Sequence, residues 1–386
     1  MIEDLKSKAV SLWLVLAVIT SANSIQAKEV NSKNQHLRLN QLQYIGTHNS
    51  YHIAPEQGVA LAIAASKALT AQQKQYIQKS LDTYRYTHPS LDDQLRLGIR
   101  KFEIDVVVDR EGRKFAKPAI HQLMQKQGIA LQHPFDRQQD LQKPGFKVIH
   151  VPDLDVRSNC NLFVDCLREI KNWSDANPGH FPINIQLEAK LPANPGMKMP
   201  YALAEVENFS ADDWRALEAE IAAVFPVEQL ISPASIRVKG LSTRDSVLQH
   251  GWPSLAEVAG KIMFSLDNGG ATAAGYQEAV AAPNIFLSLD EQHPQAAWFR
   301  LNDSFDRDID KLVAKGFMVR SRADASLSEA INNDPKRRDR AFASGAHFID
   351  TDFIFADKRW SDYVVRFKQR PYVRCNPVTV TTGCPL

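Results

Sequence analysis

The chain has 386 residues, 44% hydrophobic and 23% charged, which is globular composition with material for one large core or two smaller ones and excludes a disordered chain. Its 46 Lys and Arg meet 44 Asp and Glu, a net charge of +2, so no global field argues for a nucleic-acid partner.

At the amino terminus, Lys6 and Lys8 precede an apolar run over 9–20 and then small and polar residues to Ala27, the anatomy of a secretory signal and too short to span a bilayer comfortably. Glu3, Asp4 and the imperfect cleavage pattern Ile25-Gln26-Ala27 keep an uncleaved anchor as the alternative. The expectation is a secreted or periplasmic protein with 28–386 as one domain. Four cysteines, Cys160, Cys166, Cys375 and Cys384, form two close pairs, which suits an oxidising compartment and the pairing Cys160–Cys166 with Cys375–Cys384. A zinc site competes but lacks Cys-x-x-Cys spacing, and free thiols remain the reading for Cys160 and Cys166 if the protein stays inside the cell.

Residues 40–52 begin as an alternating run (Leu42, Tyr44, Ile45) and break at Gly46 into Thr47-His48-Asn49-Ser50, which reads as a strand delivering a titratable nitrogen and an oxygen ligand at its carboxyl end. A capping pair is the commoner use of such a His-Asn couple. Residues 60–80 predict one or two surface helices, and 89–95 a capped turn with Ser90 as N-cap, stopped at Gly98.

The clearest strand is 99–108. Its two-residue period puts Glu103 and Asp105 on one face and Phe102, Ile104 and Val106 on the other. On a solvated edge these acids are ordinary surface. Pointing into a barrel, they would repel each other unless a cation neutralised them. A long polar loop follows, with His121 and His133 read as surface residues, then a strand at 145–150 that delivers His150. An amphipathic helix over 160–173 leads to a strand at 182–190 carrying Glu188. A helix capped by Ser210 over 211–225 and strands at 261–266, 284–289, 316–320 and 347–353 complete the alternation, with 227–231 as candidate for an eighth strand and Lys336-Arg337-Arg338 as a solvated helical face. The pattern predicts a single (β/α)8 TIM-type barrel with insertions.

Gly46-Thr47-His48-Asn49-Ser50-Tyr51, Glu103-x-Asp105, Val148-Ile149-His150 before a Cys-containing helix, and Leu187-Glu188 together resemble the calcium-dependent phosphoinositide phospholipase C family, especially its secreted bacterial branch. The likeness extends through Gly251-Trp252-Pro253-Ser254-Leu255, Val319-Arg320-Ser321-Arg322-Ala323-Asp324 and Ala343-Ser344-Gly345-Ala346-His347. It implies cleavage of a phosphodiester through a cyclic inositol phosphate, with His48 as general base and His150 as general acid. It also implies Asn49, Glu103, Asp105 and Glu188 as Ca2+ ligands. The insertion over 106–145 departs from the family, and His121 and His133 compete with His150.

Independently of that likeness, three carboxylates and an amide form a hard, oxygen-only donor set that suits Ca2+. Lys190 and Arg320 are expected to hold phosphate or, alternatively, to pair with Glu188 and Asp324. The implied partners are a phospholipid or inositol phosphodiester substrate and a transient membrane surface, met by a monomer. The loop over 191–201, with Pro192, Pro195, Met197, Met199 and Pro200, is either a lipid contact or an ordinary rim loop. Glycerophosphodiester phosphodiesterases share the acid strand and two histidines but open on His-Arg-Gly where this chain has His48-Asn49-Ser50. A sphingomyelinase D-like enzyme and a non-catalytic Ca2+/phosphoinositide-binding barrel are further alternatives, the last disfavoured by the two histidines.

Overall fold

The computed structural model describes residues 28–192 and 203–386. The signal-like segment over 1–27 and most of the loop over 191–201 lie outside the described residues. Ten strands alternate with helices: β1 Leu42–Thr47, β2 Lys101–Val106, β3 Ile183–Ala189, β4 Leu230–Ile231, β5 Ile262–Leu266, β6 Ile285–Leu287, β7 Trp298–Arg300, β8 Met318–Arg322, β9 Phe348–Thr351 and β10 Val373–Cys375. They form two parallel sheets, one ordered β10-β1-β9-β8-β7 and the other β2-β3-β5, with β4 and β6 on the free edge of β5; β10 alone runs antiparallel, against β1.

Hydrogen-bonded ladders stop between β1 and β2 and between β6 and β7, so among the described residues no continuous ring of ladders closes. The gaps are narrow. A single parallel bridge joins Ser288 to Trp298, and β1 approaches β2 so closely that a Cβ on Gly46 would lie 2.6 Å from Lys101 Cδ and 2.8 Å from Lys101 O. Glycine is therefore a packing requirement at 46. Beyond that point the Ser50 amide donates to Glu103 O and Ser50 Oγ accepts from the Glu103 amide, both at 2.8 Å.

The main core collects the apolar faces of all ten strands and the helices that flank them. The segments expected to be peripheral make a core of their own. Helices Gln57–Ala65 and Ala71–Thr83 bury Val59, Ile63 and Leu81 against Ile120 and Met124 of a helix at Ala119–Lys126. The insertion after β2 is thus partly helical, and His121 is half-buried against Phe135 at 4.5 Å between ring centroids, while His133 is exposed.

Other expectations are corrected in detail. Residues 145–150 form no strand: Val148 points into the main core and Ile149 into a second cluster with Val107 and Leu141, so the segment crosses between two cores and makes only single bridges from Lys147. The eighth-strand candidate is a 3-10 turn at Val227–Gln229 ending in the two residues of β4, and β7, too short to show a period, escapes the sequence pattern. Arg337 and Arg338 are tied to the backbone of Asn302 and Val364, leaving only Lys336 fully solvated. The expected caps do form: Ser90 accepts from the Asp93 amide, Gly98 closes that helix at φ 101°, and Ser210 accepts from the Asp213 amide. Both expected disulfides, Cys160–Cys166 and Cys375–Cys384, are present.

Candidate active site

Parallel register brings the acids together. Glu103 of β2 lies beside Gln186 of β3, and Asp105 beside Glu188. Glu103, Asp105 and Glu188 each offer an oxygen within 4.8 Å of the others, the first two buried and the third partly exposed. Lys190 sits between two of them, its Nζ 2.9 Å from Asp105 Oδ2 and 3.2 Å from Glu188 Oε1. Burial pushes the Asp105 carboxyl well above its usual range; Lys190 pulls against that and the neighbouring charges of Glu188 and Glu103 add to it. Burial works the same way on Glu103, but Arg320 first, then His48 and Lys101, hold it well below the usual range.

Asn49 follows β1, one residue before Ser50, whose amide and hydroxyl pair with the Glu103 backbone. It occupies the left-handed region at φ 45°, which Asn tolerates, in a turn closed by the His52 amide donating to Asn49 O. Its Nδ2 donates to Tyr86 Oη at 2.9 Å, whereas Asn49 Oδ1 and Asp105 Oδ1 are buried without a hydrogen-bond partner. An orphaned Asp105 oxygen beside two further carboxylates is what a hard cation would satisfy, and the all-oxygen set fits Ca2+. A lysine already lying among them shows that the cluster requires positive charge.

The two expected histidines each point Nδ1 at a carboxylate. His48 donates from Nδ1 to Asp352 Oδ1 at 2.8 Å, and its Nε2 faces Arg322 Nη1 at 3.2 Å and Glu103 Oε1 at 3.7 Å. These partners assign the proton to Nδ1 and leave a lone pair on Nε2. Burial opposes the Asp352 charge, but His48 and Arg322 keep its pKa at about 2. Asp352 is fixed in turn by its amide, which donates to Asp324 Oδ1 at 3.0 Å.

His150 enters from a tight reversal in which Val151 and Asp155 exchange backbone hydrogen bonds around Asp153 at φ 68°. Its Nδ1 lies 2.7 Å from Asp155 Oδ2, the same oxygen that His52 Nε2 approaches at 2.7 Å. Burial lowers the His150 pKa and Asp155 partly offsets the effect; burial also opposes the Asp155 charge, which His52 and His150 nevertheless hold below the usual carboxylate range. A run of aromatic rings lies between His150 and His48: His52 meets His150 edge-on at 5.5 Å and Tyr86 at a tilt at 4.4 Å, and Tyr86 is tilted 6.3 Å from His48.

Arg320, expected to hold phosphate, is 1% exposed and has every guanidinium nitrogen committed: Nε to Asp350 at 2.6 Å, Nη2 to Glu103 at 2.5 Å, and Nη1 to Asn302. Asp324 does not pair with it. The arginine with a free approach is Arg322, beside His48 and more exposed. Sequence reasoning missed Arg322, Asp352, Asp155 and His52. The first two carry a readable signal, since Arg320-x-Arg322 and Asp350-x-Asp352 repeat the two-residue period that marked Glu103-x-Asp105. The other two lie in loops without a period.

An oxygen-donor cluster on the ends of parallel strands, with one carboxylate-anchored imidazole after a strand and a second in a turn, is the equipment of a metal-assisted hydrolase. A family model described as phosphoinositide phospholipase C, Ca2+-dependent, matches residues 37–377. The chain therefore belongs to the Ca2+-dependent phosphoinositide phospholipase C family and is a phosphoric diester hydrolase with Ca2+ as its cofactor. Among solved structures it is similar to the Ca2+-dependent phosphoinositol-specific phospholipase C of a Pseudomonas species, at 15% identity and TM-score 0.52, covering 90% of this chain and 98% of that one. A myo-inositol complex of the Pseudomonas enzyme gives 16%, 0.52, 90% and 98%. The Ca2+-dependent enzyme of Streptomyces antibioticus gives 16%, 0.49, 82% and 94%. No curated protein sequence matches.

Proposed function

We propose that β1, β2, β3, β5, β6, β7, β8 and β9 act as the eight staves of one TIM-type barrel, closed at its two ladder-free seams by the Gly46–Lys101 approach and the Ser288–Trp298 bridge. The site then lies at the carboxyl ends of the strands, in a single domain over 28–386. Asn49, Glu103, Asp105 and Glu188 are the residues that hold Ca2+. When bound, the ion supplies Lewis-acid polarisation and charge neutralisation at the phosphodiester.

The chain's own groups do the rest. His48, its tautomer fixed by the Nδ1 hydrogen bond to Asp352, takes at Nε2 the proton of the inositol hydroxyl that attacks phosphorus. His150, steadied at Nδ1 by Asp155, delivers a proton from Nε2 to the leaving alkoxide, and the two exchange roles when water opens the cyclic product. Arg322 neutralises a non-bridging phosphate oxygen once the hydroxyl takes its place on His48. Lys190 turns from the acids to the phosphate when Ca2+ is present, and Arg320 positions Glu103. The observation that carries this reading is the placement of the orphaned Asn49 and Asp105 oxygens on the same strand ends as the His48–Asp352 pair.

Two disulfides and the signal-like leader support a secreted or periplasmic location, and no helix of the described residues is long and apolar enough to cross a membrane. The reading includes transient contact with a lipid surface by a monomer. Assays on phosphatidylinositol, glycerophosphoinositol and sphingomyelin, with and without chelator, test it. Ca2+-dependent release of cyclic inositol phosphate from phosphatidylinositol is the expected result. Turnover of glycerophosphodiesters alone overturns it, as does Ca2+ binding without any turnover.

A further inference from the structure

The second cluster of potential ligands, His52, His150 and Asp155, has a geometry that hydrogen bonding between neutral partners cannot complete. His52 is fully buried, with Nδ1 3.1 Å from the carbonyl oxygen of Tyr86 and Nε2 2.7 Å from Asp155 Oδ2. Both nitrogens thus face acceptors. A neutral imidazole carries one ring proton, and placing it on Nδ1 toward Tyr86 leaves the Nε2 lone pair aimed at a carboxylate lone pair. A second ring proton on His52, pairing with Asp155, closes the gap, and so does a metal cation. A histidine whose other nitrogen donates to a backbone carbonyl is also prepared as a metal ligand, because that bond fixes the tautomer and the ring. The remaining donors converge on the same point: His150 Nδ1 lies 2.7 Å from Asp155 Oδ2, the ligand atoms of the three residues all lie within 4.8 Å of one another, and Asp155 Oδ1 is buried without a partner.

We propose that His52 Nε2, His150 Nδ1 and the Asp155 carboxylate form a second cation site that takes a borderline transition metal of the Zn2+ class, separate from the oxygen cluster of Glu103, Asp105 and Glu188. Two neutral imidazoles and one carboxylate are a poor set for Ca2+ and a good one for Zn2+. Bonds of about 2.0–2.2 Å to each donor require shifts of roughly an ångström or less from the observed positions. The ion enters past His150, which is 14% exposed whereas His52 and Asp155 are sealed. A fourth position is open to Asp155 Oδ1 or water. Occupancy takes His150 from its carboxylate and puts a positive charge on its ring, so the metal switches off proton delivery without competing with Ca2+. The inhibitory consequence, though not the binding, rests on the role proposed above for His150.

The test uses the full chain at saturating Ca2+, titrated with Co2+ as a spectroscopic substitute for Zn2+. One equivalent should develop the visible d–d bands of a four- or five-coordinate site with imidazole ligands. The bands should be lost in His52→Gln, and inhibition by Zn2+ should weaken in that variant by about 10-fold or more. Diffraction at the zinc absorption edge on wild-type crystals, which needs no variant to fold, should place an anomalous peak within bonding distance of His52 Nε2. Co2+ bands that persist in His52→Gln, bands that disappear as Ca2+ saturates, or an anomalous peak at Glu103 and Asp105 would each overturn the proposal. Neither spectrum nor diffraction depends on turnover, so a chain without phospholipase activity but with this site would overturn the catalytic reading alone.

Discussion

His48 and His150 are built alike at one nitrogen and differently at the other. Each points Nδ1 at a buried carboxylate, Asp352 or Asp155, at 2.8 and 2.7 Å. Around His48, Arg322 stands in front of Nε2 and Asp352 is shared only with that arginine. Around His150 no arginine faces the ring, and its carboxylate is divided with a second imidazole, His52. The guanidinium donates toward Nε2 and so selects the tautomer whose lone pair a base uses. The His150 surroundings offer only half of a carboxylate, and burial, Lys190 and His52 all work against its second proton. The same pair of groups thus meets different partners on the far side of the ring.

The largest effects should come from breaking the side that both readings share. Glu103→Gln removes a proposed ion ligand and the partner that holds Arg320, and should abolish Ca2+-dependent release of inositol phosphate without loss of the native circular-dichroism spectrum. His48→Ala should cost on the order of 10²- to 10⁴-fold in kcat, the usual value of a positioned proton-transfer group. The anchors then separate the two histidines. Asp352→Asn leaves Arg322 facing an imidazole with no carboxylate and should lose on the order of 10²-fold in kcat, whereas Asp155→Asn leaves His52 as a second neighbour of His150 and should lose about 10-fold. Equal losses, measured on a soluble inositol phosphodiester, would remove the distinction.

The pH profile tests it without a mutation. Burial lowers the His150 pKa below 6.5 despite Asp155. The acid form is needed, so kcat/KM of the free enzyme should fall as pH rises through a value below 6.5, and Asp155→Asn should move that limb lower still. A limb above 7 that ignores Asp155 would reassign the acid. Smaller again is the effect of Lys190→Met. Because the ammonium lies 2.9 Å from Asp105 and competes for the place of a cation, its removal should tighten Ca2+ binding several-fold by calorimetry while lowering turnover on an anionic substrate.

The first half of this comparison was legible in the sequence and the second was not. A two-residue period shows that Glu103 and Asp105 share a face, whereas the register that sets Asp105 beside Glu188 was hidden by the strand expected between them at 145–150. His48 and Asn49 were found because a strand ends on them. Asp155 and His52 sit in turns held by Val151, Asp153 and Tyr86, where no periodicity marks which side chains meet. The strand expected at 145–150 failed for the same kind of reason: Val148 and Ile149 are apolar because they enter two different cores, and an alternating pattern does not distinguish that from a ladder. Arg320 was selected over Arg322 since the sequence gives no sign of which one is already surrounded by Asp350, Glu103 and Asn302.

Histidines without a carboxylate supply the control, and here the effect on turnover at neutral pH should be nil. His347 is fully buried; its Nδ1 accepts from the Val319 amide at 3.1 Å and its Nε2 donates to Asn40 O at 2.9 Å. His180 donates from Nδ1 to Phe181 O at 2.6 Å, and its Nε2 lies 2.7 Å from Ser174 Oγ. Burial dominates at both, outweighing the Asn40 carbonyl at His347 and, at His180, the Phe181 carbonyl and the charge of Glu29, and both fall to a pKa of about 4. The unfolded chain takes up a proton on each near 6.5, the folded chain only near 4, so between those values the unfolded state binds more protons and stability declines as pH falls. The loss levels off below 4 and amounts to at most about 3 kcal/mol for each group. Urea midpoints measured from pH 7 to pH 4 should therefore drop in the wild type and drop less in His347→Gln, even though the substitution itself lowers stability at pH 7. An unchanged slope in the variant would show that some other group, and not a neutral buried imidazole, limits stability in acid.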